Sequence, residues 1–199
     1  MVRTVLSILI IICITLSGGA WSVDYILKHF EGFGHFKIGQ WSAYPKAGTE
    51  QDEPYSRARF AKNGIVSLGQ TEGLAFQLWN DSNNRPLKSH CTYRLYGLLP
   101  EARLFTLYTV NETFYPLKID ELLPFSLHSN NIIFRQDENL SISISPNAQP
   151  YNWLATSFKD MKYGLILTLY DTQILTNTPL NALKMPSVDL VLTGEKGCE

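Results

Sequence analysis

Asn152 and Trp153 are the neighbours whose chemistry stands out in this sequence. A broad aromatic face beside a primary amide can stack on a sugar or a small apolar ligand while hydrogen-bonding its edge. The same pair suits a plainer role, in which Trp153 plugs one end of a β-sandwich and Asn152 satisfies loop backbone. Arg94 and Arg103 fall in or beside two successive strand patterns, expected to be adjacent, where two guanidinium groups form an anion site or simply decorate a surface. Asp137 and Glu138 offer two carboxylates, but adjacent residues on a turn usually face apart, so a solvated turn is expected. Trp41, Tyr44 and Tyr55 are expected to cover a helix-to-sheet junction rather than to cage a ligand. Asn80-Asp-Ser82, Asn111-Glu-Thr113 and Asn139-Leu-Ser141 match the glycosylation triplet, which matters only in a eukaryotic source.

The usual signatures of catalysis are missing. The sequence has no Gly-x-Ser-x-Gly elbow, phosphate loop, dinucleotide fingerprint or His-Glu-x-x-His helix, so the corresponding enzyme classes lose their sequence support. Serine hydrolases on other folds need partners that meet only in space, and a sequence does not reveal them. His90 adjoins Cys91, but His29, His35 and His128 show no ligand spacing, so neither a metal site nor a cofactor is expected.

These residues belong to a chain of 199, enough for one well-cored domain beyond an apolar leader and thin for two. Apolar residues make up 45% and charged residues 18%, which sets disorder and coiled coil aside in favour of a globular body. With 17 basic and 18 acidic residues the formal net charge is −1, and a phosphate-backbone partner is not expected.

Arg3 places one positive charge before an uncharged stretch from Thr4 to Val23. Such a segment directs export, either as a cleaved signal peptide ending in the small residues Ser17-Gly18-Gly19-Ala20 or as an uncleaved membrane helix. The continuation through Trp21, Tyr25, Leu27 and Phe30 favours the anchor, with Arg3 left in the cytoplasm. Cys13 lies inside the apolar stretch, leaving Cys91 and Cys198 as the pair in the exported part. An even pair outside the cytosol points to a disulfide, two free thiols being the alternative.

Downstream, Ile38–Gly48 reads as an extended, irregular segment laid over a core. Asp52 is placed as the N-cap of a helix running to about Ile65 or Leu68, with Tyr55, Ala58, Ala61, Ile65 and Leu68 as its inward stripe. From about residue 72 the apolar period becomes two. Leu74, Phe76 and Leu78 pair, by this reading, as a hairpin with Cys91, Tyr93 and Leu95 across the Asx-rich turn Asn80–Pro86. Further strands are expected at 103–110, 125–128, 132–134, 139–145, 163–170 and 188–192, giving a mainly β, two-layered antiparallel sandwich or barrel.

The order of short motifs resembles a known family. Gly39-Gln-Trp41, Pro54-Tyr55-Ser-Arg57-Ala58, Leu68-Gly-Gln-Thr-Glu72-Gly-Leu-Ala-Phe76, Cys91-Thr-Tyr93-Arg-Leu-Tyr-Gly97-Leu-Leu-Pro100-Glu-Ala102-Arg103-Leu-Phe105-Thr-Leu107, Asn152-Trp153-Leu154 and Leu167-Thr-Leu-Tyr170 are similar to the domain of unknown function 1214 family. The likeness covers about residues 38 to 195 and is strongest to short bacterial members with one N-terminal membrane segment. It implies a jelly-roll-like antiparallel β-sandwich in the cell envelope with no established activity, and it strengthens the pairing of Cys91 with Cys198. Departures fall at Phe105-Thr106-Leu107-Tyr108, at Ala155 in place of a proline and at Thr168 in place of an arginine; a family site using either of the last two would be incomplete here.

The resulting expectation is a signal-anchor over residues 1–28, a linker over 29–37 and a β-sandwich over 38–199. The resemblance places it in the bacterial inner membrane with the C-terminal domain in the periplasm, or free in the periplasm after cleavage near Ala20. The expected role is a non-catalytic binding or structural module for a protein, glycan or small molecule, with Asn152, Trp153, Arg94 and Arg103 as candidate ligand residues. The alternative is a hydrolase or carbohydrate-active enzyme working at the mouth of the sandwich.

Overall fold

In the computed structural model, which describes residues 2–29, 34–69, 72–134, 139–172, 183–191 and 198, the apolar leader is one helix, Val2–His29 (α1). Over Val2–Leu27 it is long and apolar enough to cross a membrane, and this stretch is not buried against the rest of the chain.

Ten strands follow among the described residues: β1 (Phe36–Ile38), β2 (Trp41–Ala43), β3 (Gly73–Leu78), β4 (Tyr93–Gly97), β5 (Leu104–Val110), β6 (Ser126–His128), β7 (Leu140–Ser145), β8 (Trp153–Ala155), β9 (Gly164–Tyr170) and β10 (Ser187–Leu190). A helix, α2 (Pro54–Asn63), lies between β2 and β3. One sheet has six strands in the order β1-β2-β3-β9-β5-β6, all antiparallel; the other has four, β10-β4-β7-β8. The mainly β, two-sheet expectation holds, with one correction: β8 runs parallel to β7, so the smaller sheet is mixed.

Strand alternation builds the core. Phe76 and Leu78 of β3, Leu107 of β5 and Leu165, Leu167 and Leu169 of β9 are buried, as are Leu95 of β4, Leu140, Ile142 and Ile144 of β7, Leu154 of β8 and Val188 of β10. Fully burying a side chain of this size is worth about 1.5–3 kcal/mol, so these inner faces hold the two layers together. β9 is buried on its other face as well, at Ile166 and Thr168, which a run this continuously apolar requires. Cys91 and Cys198 form a disulfide across 107 residues, just before β4 and beyond β10, which fixes the C-terminal region to the smaller sheet.

Several local expectations are corrected. Gly39, at φ 59°, supports a two-residue turn with Gln40, so the segment read as irregular begins with the β1–β2 hairpin. The anticipated hairpin between β3 and β4 does not form, because the two strands lie in different sheets. The Asn80–Pro86 turn closes on itself instead, and the buried Asp81 carboxylate accepts from the backbone N–H groups of Asn83 (2.9 Å) and Arg85 (2.8 Å). Ile132–Phe134 is not a strand. The cap of α2 is Glu53 rather than Asp52, with backbone rather than side-chain capping, and Pro54 opens the helix where no donor is needed. Gly64, at φ 63°, ends it, and the Ile65 N–H donates to the Phe60 carbonyl (3.0 Å).

Candidate functional site

Each sheet carries a hollow on its outer face, and the two differ in chemistry. The first lies between α2 and the six-stranded sheet. The expected apolar stripe of α2 is corrected here: Tyr55 and Ala61 are exposed, Ser56 is the fully buried helix residue, and Arg59, Phe60 and Asn63 border the hollow. A helix that roofs a hollow need not present an apolar stripe, because it is not sealing the core.

The inner part of this hollow is a cavity of about 190 Å³. Phe60, Ile65 and Leu68 form its roof, and Ala75, Tyr108, Ile166 and Thr168 its floor. It shares Tyr44, Arg59, Asn63, Gln77 and Phe114 with an open trough of about 510 Å³ that extends past Trp79 to Leu27 near the end of α1. Arg59 Nη1 donates to the Tyr44 hydroxyl at 2.8 Å, and the Tyr44 ring meets Phe60 edge-on at 5.6 Å, so a guanidinium, a phenol and an aromatic wall are fixed at the junction of the two parts. Lys62 pairs with Asp24 of α1 beside the trough. Burial, with a smaller contribution from Tyr170, raises the Tyr108 phenol above its ordinary range, so it stays a neutral donor at physiological pH.

The trough wall contains a backbone outlier. Phe114 holds φ 62° in the tight loop after β5, where the Asn111 side-chain oxygen accepts from the Thr113 and Tyr115 N–H groups (2.9 and 3.0 Å). Its ring packs edge-on against Trp79 at 5.3 Å. A β-carbon on Gly164 would come within 2.9 Å of Trp79, so that glycine lets the indole lie on β9.

The second hollow, about 480 Å³, lies on the outer face of the smaller sheet among Arg94, Ser141, Ser143, Gln149, Tyr151 and Asn152. Two sequence candidates, Arg94 and Asn152, therefore border one space. Asn152 is buried and its amide is occupied: Nδ2 donates to the carbonyls of Ile133 (2.8 Å) and Ser141 (3.0 Å), and Oδ1 accepts from the Ile133 N–H (2.8 Å). It clamps the segment at Ile133 to β7 in place of the expected strand pairing. Trp153 does not line the hollow, and its indole N–H donates to the Ser145 carbonyl at 3.0 Å. Arg103 lies beside β5 in the other sheet, 3.5 Å from the Asp171 carboxylate with both groups exposed, so the expected adjacency of the strands at Arg94 and Arg103 is corrected, while the surface role weighed for Arg103 fits its position. Asp137 and Glu138 lie outside the described residues.

Sequence reasoning assigned Tyr44 to the helix-to-sheet junction, where it lies, but passed over Arg59, Phe60, Phe114, Tyr108 and Tyr151. A signal was present in α2, whose polar residues Ser56, Arg59 and Asn63 share a face with Phe60 at three- and four-residue spacing.

A profile of the family described as "Protein of unknown function (DUF1214)" matches residues 72–174, just over half of the chain. No curated protein matches the sequence significantly. A crystal structure of the VPA0106 protein from Vibrio parahaemolyticus is similar over 88% of this chain and 43% of its own, with a TM-score of 0.58 and 16% identity. An uncharacterized protein from Burkholderia cenocepacia aligns with 90% of this chain and 51% of its own at a TM-score of 0.44 and 14% identity. The chain thus spans less than half of the first structure and about half of the second, and the first likeness concerns the fold alone.

Proposed function

We propose that this chain, which belongs to the DUF1214 family, is a membrane-anchored binding module of the bacterial envelope that holds a single-chain amphiphile beneath α2. The observation that carries this reading is the continuous hollow on the six-stranded sheet, apolar at its inner end and polar at its junction, whose open end reaches the end of α1 at Leu27. An acyl chain fits against Phe60, Ile65, Leu68 and Ile166, and removing each methylene from water contributes about 0.8 kcal/mol. The head group would lie at Arg59, Tyr44 and Gln77, where a guanidinium and neutral donors face a carboxylate. Because the trough borders the membrane helix, the bilayer is the natural source of the ligand.

In this reading α1 is retained as the anchor, and the body from β1 onward folds on the periplasmic side. Arg3 before the apolar stretch supports that orientation, and the Cys91–Cys198 disulfide suits an oxidising compartment.

The test uses full-length protein in phosphatidylcholine nanodiscs, with Trp21→Phe and Trp153→Phe as background, which leaves Trp79 in the trough wall and Trp41 buried in the core. A brominated fatty acid should quench the Trp79 emission saturably. Ala75→Phe, which fills the inner cavity from its floor, should weaken that quenching at least tenfold. Quenching that is unsaturable, or equal in the filled variant, contradicts the proposal.

A further inference from the structure

We propose that the hollow on the smaller sheet is a second binding site, for a carboxylated sugar of the uronate type, separate from the amphiphile groove. The backbone at Tyr151 is the first observation. It holds φ 64°, a conformation that a residue with a β-carbon adopts only at a cost. Phe114, the other aromatic residue in that region, packs on Trp79, whereas Tyr151 is 84% exposed and no ring among the described residues meets it. Folding therefore presents this ring to solvent at the rim of the hollow without recovering the strain through packing.

The second observation is Arg94. It stands in register between Ser143 of β7 and Asp189 of β10, yet its guanidinium makes no ion pair among the described residues, with Asp189 or any other carboxylate. The third is the neutral polar lining. The hydroxyls of Ser141 and Ser143 and the amide of Gln149 have no side-chain hydrogen bond among the described residues, while Asn152 beneath them is fully engaged and holds the wall in place.

A pyranose has a C–H face that stacks on an aromatic ring and a rim of hydroxyls that exchange hydrogen bonds with small neutral groups. Tyr151 supplies the ring, and Ser141, Ser143 and Gln149 supply the partners. Arg94 adds a planar fork of donors that matches a carboxylate. Together they select an acidic sugar over a neutral one.

Full-length protein in phosphatidylcholine nanodiscs, titrated with a trimer of galacturonic acid and with a neutral galactose trimer, tests this. The acidic trimer should bind at least tenfold more tightly, and Arg94→Gln should remove most of that preference. Tyr151→Gly should lose at least tenfold in affinity while its thermal midpoint stays level or rises, because glycine relieves the backbone cost. Equal binding of the two trimers, or no binding of the acidic one at millimolar concentration, overturns the proposal. So does competition by inorganic sulfate at the trimer's own concentration, which would reveal a bare anion site. A Tyr151→Gly variant of lowered midpoint would assign the ring a structural role and overturn it as well.

Discussion

The hollow under α2 and the hollow on the smaller sheet both border an aromatic residue at positive φ, but they use it differently. Phe114 is secured by Trp79 and forms part of an apolar wall; Tyr151 stands exposed above a floor of serines. The first hollow is roofed by a helix outside the matched family segment, whereas the named residues of the second all fall within it. One sandwich thus offers an oily and a wet surface from the same alternation of strand residues, and what decides the character of each is what covers it. Ile166 and Thr168, in the hollow roofed by α2, are buried; Ser141 and Ser143 of β7, in the second hollow, are partly exposed.

The largest effect expected to separate the two regions is loss of the disulfide. Closing a loop of 107 residues is worth roughly 4–5 kcal/mol in chain-entropy terms. A Cys91→Ser/Cys198→Ser variant should lose stability on that scale, and hydrogen exchange should quicken first in β4 and β10, beneath the wet hollow. Equal acceleration in β3 and β9 would show that the staple serves both sheets alike.

Next in size is Asn152→Ala. It strips partners from the Ile133 N–H and C=O and from the Ser141 carbonyl, so a cost of about 1–3 kcal/mol is expected by denaturant titration, with the groove under α2 unaffected. A variant as stable as the parent would show that water replaces the amide and that the clamp is dispensable.

Glycine at the two strained positions sharpens the contrast further. Tyr151→Gly should stabilise the fold by about 1 kcal/mol, the order of the left-handed backbone cost. Phe114→Gly should gain little, because the same relief is offset by about 0.5–1.5 kcal/mol of lost ring contact with Trp79. Thermal midpoints of the two variants give the comparison, and equal shifts would contradict it.

The smallest effect lies between the regions, at Tyr163. Its ring is fully buried, its hydroxyl has no partner among the described residues, and burial pushes its ionisation well above 10.0, with a smaller contribution from Tyr93. Tyr163→Phe should therefore be neutral or slightly stabilising at pH 7. The raised folded-state value favours the folded protein until the unfolded phenol begins to ionise near pH 10, and the stability it supports falls as pH rises further. The variant should escape that alkaline loss, and superimposable stability curves of variant and parent above pH 10 would refute the assignment.

Most strands were legible because alternation is a local property. Leu140, Ile142 and Ile144 face the core with serines between them, and the continuous apolar run of β9 marks a strand covered on both sides. Strand partners are not local, so β3 and β4 were paired across a turn that closes only on itself. The β1–β2 hairpin was readable from Gly39-Gln40 between Ile38 and Trp41, a glycine-first two-residue turn hidden among prolines and aromatics. The face of α2 was misread because the apolar-stripe rule assumes a helix that seals the core. Of the candidate ligand residues, Arg94 and Asn152 converge and Trp153 and Arg103 do not, since sequence gives a side chain's chemistry and not how its hydrogen bonds are spent.

Photo-crosslinking of the full-length protein in nanodiscs with a diazirine-bearing palmitic acid, read by peptide mass spectrometry, addresses the amphiphile groove most directly. Adducts should concentrate on the peptides of α2, Ile65–Leu68 and β9, compete away with unlabelled palmitate and vanish in Ala75→Phe. Adducts confined to α1, or spread over the smaller sheet and insensitive to competitor, would contradict the account.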